Sequence, residues 1–181
     1  MSNIRDMIGV QPELRDYFLQ NCGTPANGTA AEYGDGYRHV TVISFTTFTQ
    51  AVTSAALAFG KKIYDFPLGH IKVDRALMKI TIAAPTCTVV GELSLGSVVA
   101  SGAHATTGDT ATQEDIIDGT VNTITSAGGA QTLINKAAET DVPDGHSTAV
   151  DLYLNAAGTW TAVENLTFSG SVTIFWQFLG L

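Results

Sequence analysis

Leu166–Leu181, LTFSGSVTIFWQFLGL, is the stretch whose reading decides the fold. From Phe168 to Phe178 the even positions hold Phe168, Gly170, Val172, Ile174, Trp176 and Phe178, and the odd ones begin Ser169, Ser171, Thr173. Alternation with a period of two is the mark of a half-buried β-strand. A lone strand of this kind does not stand in water, because fixing its backbone costs about 1–2 kcal/mol per residue. It needs strands on both sides and an apolar layer facing it. The segment is therefore expected to be a closing core strand of an all-β body.

Working back from it, Ala149–Asn155 alternates as well, with Val150, Leu152 and Leu154 inward and Asp151, Tyr153 and Asn155 outward. Earlier runs with strand character are Val40–Phe48, Lys61–Phe66, Ile71–Ile82, Val89–Val99, Thr120–Thr125 and Thr132–Ala138. Gln50–Phe59 is small and apolar and reads equally as strand or helical turn. Two of the runs change phase. In the first, the apolar face switches partway along. In Ile71–Ile82 the apolar residues move from odd positions (Ile71, Val73) to even ones (Met78, Ile80, Ile82), which implies a bulge near Arg75 or a strand that changes partners there. Pro67-Leu68-Gly69 and Val142-Pro143-Asp144-Gly145 have turn composition, and Ser101–Ala130 reads as a long insertion loop carrying one short strand. Some eight strands at turn-separated intervals predict a single β-sandwich of jelly-roll type over 37–181.

Ahead of it, residues 1–36 read as an N-terminal arm and tether. Ile4, Met7 and Ile8 follow a capping Ser2 or Asn3. After Pro12, the spacing of Leu14, Tyr17 and Phe18 against Glu13 and Asp16 predicts a short amphipathic helix. A helix that short is marginal by itself and is expected to dock on its own sandwich, a sister subunit or a larger assembly. Asn21–Gly36, rich in Gly, Asn, Thr and Ala, reads as an extended tether.

The 181 residues suffice for one core. Net charge is −8 and unevenly placed: residues 1–79 hold eight of the nine basic residues, whereas 80–181 hold Lys136 against ten acids. Such an imbalance argues against general nucleic-acid binding. Lys61, Lys62, Lys72, Arg75 and Lys79 form the one basic cluster along the chain. Cys22 and Cys87 are far apart and read as free thiols. Arg5 and Asp6 interrupt the first apolar residues, so no signal peptide is expected, and no run is long enough to span a membrane.

Chemistry-bearing motifs are hard to find. His39, His70, His104 and His146 are isolated, without metal-ligand spacing, and read as surface or rim histidines. Asp109, Glu114, Asp115 and Asp118 lack the alternation and central glycine of a calcium loop. Asp144, His146 and Ser147 contain the residue types of a triad, but as neighbours on a turn they read as a polar loop. No catalytic residue, metal or cofactor is expected.

Two segments carry a resemblance: FGKKIYDFPLGHIKVDRALMKITI, Phe59–Ile82, a strand, an aromatic-Pro-x-Gly turn and a strand, and VDLYLNAAGTWTAVENLTFSGSVTIFWQFLG, Val150–Gly180. Together they span roughly 55 of 181 residues. This pattern resembles β-sandwich virion proteins of tailed bacteriophages, in particular the head decoration (cement) proteins on the outside of the capsid. The resemblance implies a homo-oligomer, a homotrimer above all, that bridges major capsid protein subunits on the outer shell of a virion assembled in a bacterial cytoplasm, with neither nucleic acid nor membrane as partner. On that reading Ile4, Met7, Ile8, Leu14, Tyr17 and Phe18 of the arm, and Lys61, Lys62, Lys72 and Arg75 of the body, are the docking residues, with the acidic second half toward water. A phage tail or neck component is the alternative. A carbohydrate-binding module is another, and it requires Trp160 and Tyr153 exposed together as a stacking platform.

Overall fold

A computed structural model describes residues 28–35, 37–83, 89–103, 113–124, 129–133, 140–141, 149–160 and 163–180. The six arm residues expected to dock, both cysteines, His104, His146, Asp109, Asp144 and Ser147 lie outside them. Eleven strands occur among the described residues: β1 (Gly28–Gly34), β2 (Arg38–Val52), β3 (Ala58–Asp65), β4 (His70–Ala83), β5 (Val89–Gly96), β6 (Ser101–Gly102), β7 (Ile117–Ile124), β8 (Gly129–Leu133), β9 (Thr140–Asp141), β10 (Asp151–Gly158) and β11 (Glu164–Gly180).

They form two antiparallel sheets. The first has the order β1-β2-β11-β4-β8 with β9 also on β4, and the second β6-β3-β10-β5-β7. The chain behaves as one long hairpin rolled up. On the outward run it makes β2, β3, β4 and β5; on the return β7, β8, β10 and β11 pair with them in reverse, as β5·β7, β4·β8, β3·β10 and β2·β11. Rolling then sets β11 against β4 and β10 against β5, which closes both sheets. This is the eight-strand jelly roll the turn spacing predicts. The short strands β1, β6 and β9 extend its edges.

The closing segment is the centre of the first sheet. β11 lies between β2 and β4 over nearly its whole length, and Phe168, Val172, Ile174 and Trp176 are buried as the alternation requires. Facing them from the second sheet are Ile63, Tyr64, Leu93, Leu95, Leu152 and Leu154. Two aromatic groups fill the ends of the core. Phe48 stacks on Phe168 (4.9 Å between centroids), with Phe45 and Phe59 tilted or edge-on beside them. At the other end Tyr64, Phe66 and Trp176 pack edge to face at 5.2–5.4 Å, an arrangement the ring quadrupoles favour.

Both phase changes are bulges. Phe175 pairs with Arg75 and Trp176 with Val73, so Asp74 is the extra residue of β4, one position from Arg75. In β2, Phe45 and Phe48 are both buried with Thr46 and Thr47 exposed between them, opposite Gly170 and Phe168. Gln50–Phe59 resolves into the end of β2, a turn at Thr53–Ala56 and the start of β3.

Three readings change. Gly28–Gly34, inside the stretch read as tether, is a full seven-residue strand on β2. Its side chains are too small to announce a strand, since Ala30 and Glu32 alone turn toward the interior. Hydrogen bonds to Asp35 Oδ1 from the Tyr37 and Arg38 amides (2.8 and 2.7 Å) close the β1–β2 turn and hold the Asp35 carboxyl below its ordinary range. His39, read as a rim residue, is 4% exposed and stacks flat on Trp176 at 4.1 Å. Its Nδ1 lies 2.6 Å from Glu32 Oε1, while Tyr64 donates to Glu32 Oε2 at 2.8 Å, so one carboxylate ties β1 to both sheets. Trp160 lies in the loop expected between β10 and β11, but it is a core residue, 3% exposed, and donates from Nε1 to the Leu57 carbonyl.

Candidate interaction faces

The two outer faces of the sandwich differ in chemistry. On the first sheet the register lines up outward residues in rows across neighbouring strands. Arg38, Gln177 and Lys72 form one row; Tyr33, Val40, Phe175 and Arg75 the next; Ala31, Val42, Thr173 and Leu77 the third; Thr29, Ser44, Ser171 and Lys79 the fourth. The middle rows are mainly apolar, with Arg75 the cation among them, and the outer rows carry Arg38, Lys72 and Lys79. The Arg75 guanidinium sits over the Phe175 ring at 4.3 Å, a cation–π contact that keeps the charge on the apolar strip. Tyr33 is 59% exposed at one edge, and Val40, Val42, Phe175 and Leu77 are half-buried. Among the side chains described, the face holds Arg38, Lys72, Arg75 and Lys79 against the single carboxylate of Asp74. Gln177 donates to both oxygens of that carboxylate, at 2.9 and 2.7 Å. A cationic face on a chain of net charge −8 is a local excess that composition does not require.

The second sheet is covered differently. Asn155 points outward, as its alternation predicts, yet is fully buried. The segment after β5 folds over it. Asn155 Oδ1 accepts from the Ala100 amide (2.9 Å), and its Nδ2 donates to the Val98 and Gln113 carbonyls (2.9 and 2.7 Å). Ala58, Ala100 and Ala157 pack together beneath the same segment. Ala157, outward two residues after Asn155, and Gly60 beside it, where a Cβ would lie 2.9 Å from the Ala100 nitrogen, leave room for this close backbone. Val98 and Val99 ride on top, 42% and 40% exposed. Next to them Asp115 accepts from the Ser97 amide and hydroxyl; burial pushes its carboxyl up against the pull of those bonds. Glu92 is in register with Ala157 beneath that segment, Asp118 follows the inward Ile117, and Glu114 accepts from the Gly119 amide at 2.8 Å.

The predicted basic cluster is thus divided. Lys72, Arg75 and Lys79 belong to the first-sheet face, on β4. Lys61 and Lys62 belong to β3 in the second sheet, because the turn at 66–69 carries the chain from one sheet to the other. Lys61 is half-buried at the register position of Leu154. Lys62 pairs with Asp65 and, at 3.0 Å, with Asp151, to which Tyr153 also donates at 2.8 Å. Hydrogen bonding to Asp65 and then to Asp151 raises the Lys62 ammonium above its usual range against some burial. Burial, then the hydrogen bond with Asp151, pushes Asp65 up. Burial also works against the Asp151 carboxylate, but bonds from Asp65, Tyr153 and Lys62 outweigh it and hold Asp151 down. The Lys62 charge is therefore offset by two carboxylates, whereas the Arg75 guanidinium lies over the Phe175 ring.

Surface depressions lined by Thr47, Thr81, Thr167, Phe168 and Ser169, and by Gly28, Thr29, Ser44, Phe45 and Thr46, offer hydroxyls and, among the described residues, no ionisable side chain. No group of three or more His, Cys, Asp or Glu placed to hold a metal ion occurs among the described residues. With Trp160 in the core, the Trp160–Tyr153 stacking platform that carbohydrate binding requires is not formed. Comparison of the chain with protein families, with curated proteins and with solved structures found no match.

Proposed function

We propose that the protein is a structural component of a tailed-phage virion. It binds the outer surface of the capsid as a homotrimer and stabilises the shell by bridging major capsid protein subunits. The observation that carries the reading is the pairing of a rigid, doubly layered body with two broad faces of opposite character, one cationic around an apolar strip and one acidic around Val98 and Val99. Faces of this kind fit contacts with other proteins better than they fit a small molecule. The resemblance of Phe59–Ile82 and Val150–Gly180 to capsid decoration proteins supplies the setting. In this role the arm adds a second attachment to each subunit, and a trimer multiplies weak contacts into firm occupancy.

The experiment is reconstitution on shells stripped of the protein. The full chain is expected to saturate its sites, and a chain beginning at Gly28, which keeps β1 and hence the folded body, is expected to lose occupancy by tenfold or more, on the order of a two-site avidity gain. Equal occupancy by both chains removes the arm from the mechanism and leaves the body as the binding element. Failure of the full chain to bind overturns the capsid role.

A further inference from the structure

We infer that the cationic face of the first sheet is a docking surface for a second copy of this chain, which presents the Val98–Val99 side of its second sheet. The inference rests on the homo-oligomeric reading above and names the surfaces it uses.

The two surfaces of one molecule complement each other. The first-sheet face has an apolar centre, chiefly Phe175, Val40 and Leu77, bordered by Arg75 and Lys79. The second-sheet side has an apolar centre of exposed Val98 and Val99, with Glu92 in register with Ala157, which packs on Ala100 of the same segment, and Asp118 next to the inward Ile117. Each surface supplies what the other lacks, and each copy carries both. A contact between two different patches of the same chain is head-to-tail, closing into a ring when the rotation per step allows it and otherwise continuing as a stack.

Size sets its strength. Strands about 4.8 Å apart and rows two residues apart at about 3.3 Å per residue make the four-strand, four-row face roughly 500 Å², hence about 1,000 Å² for the pair. Stable interfaces bury about 1,200–2,000 Å². One such contact is therefore weak and gains from closure, and because its charges stand at the surface it weakens with salt.

The test is the solution mass of the full chain, at concentrations up to the order of 100 μM, a range that reveals weak contacts, and at low and high salt. The wild-type chain is expected to be larger than a monomer at low salt and to dissociate as salt rises. Arg75→Glu on one face and Val98→Glu on the other should each give a monomer. Both side chains are exposed, so an unchanged melting temperature verifies the fold. Combining Arg75→Glu with Asp118→Arg is expected to restore part of the association. A wild-type chain that stays monomeric throughout overturns the inference. So does wild-type mass in both single variants, or a loss confined to Arg75→Glu, which would mean the cationic face meets something other than the Val98 side. The shell assay separates this from the capsid role: shell binding by a monomer retires the pairing alone, and a self-associating chain that ignores shells retires the capsid role alone.

Discussion

Gly170→Ala is expected to lower stability by roughly 4 kcal/mol, combining a strained backbone worth about 1–3 kcal/mol with a steric clash. Gly170 has φ +140, a region where a side chain is strained, and it sits at the irregularity where β11 passes the bulge of β2. A Cβ there would lie 2.1 Å from the Lys79 carbonyl oxygen and 3.0 Å from the Ile80 Cα, both backbone atoms of the neighbouring central strand. Neither can rotate away, so β4 and β11 would have to separate where the core is densest. For a chain of this size the shift in melting temperature is about 10 °C. Gly180→Ala is the control. Its φ is also positive, at +111, but a Cβ meets nothing within 4 Å, so it should cost about 1 kcal/mol. Thermal melts of the two variants separate steric overlap from backbone strain, and equal melting temperatures would show that the close approach to Lys79 does not matter.

The second large effect is at Asn155. Replacing it by Ala leaves the buried Ala100 amide without its acceptor and the Val98 carbonyl without its donor. The Gln113 carbonyl keeps the Ser94 hydroxyl at 3.0 Å. Orphaned groups cost about 1–3 kcal/mol each, for a loss of about 3 kcal/mol. Asn155→Asp is expected to be worse near neutral pH, since it keeps the acceptor for Ala100 but sets a buried carboxylate against two carbonyl oxygens. The sign of its pH dependence follows. Burial raises a carboxyl above its unfolded value, so the penalty is present at neutral pH and fades as pH falls and the protonated side chain again donates one bond. Denaturant melts of the two variants at neutral and acidic pH test this. If Asn155→Asp does not gain on Asn155→Ala in acid, the lid over the second sheet is not held by this side chain.

How far the sequence alone could be read depends on how local the deciding physics is. β11 was legible because Phe168, Val172, Ile174 and Trp176 repeat with the strand's own period. That the irregularity at Asp74 is a bulge and not a change of partners is settled by the register with β11; as a phase shift near Arg75 it was legible, because an inserted residue inverts that period. β1 was not, since Gly28, Thr29, Ala30 and Ala31 bury little and the strand is held by its ladder and by Glu32, whose partners are 7 and 32 residues away. His39 shows the same limit. Its place on Trp176 is a long-range fact, and a lone histidine in a strand carries no mark of it. The basic cluster looked unitary because its members are neighbours in the chain, whereas the turn at 66–69 sends them to different sheets. Asn155 was placed on the correct face, but its burial depends on a segment some 42–57 residues distant.

The most direct measurement is electron microscopy of the assembled particle. The account expects double-sheet bodies grouped in threes on the outer surface of the head shell, each group touching more than one major capsid protein subunit. Density for the body confined to the tail or neck, or bodies standing singly on one shell subunit each, would contradict it.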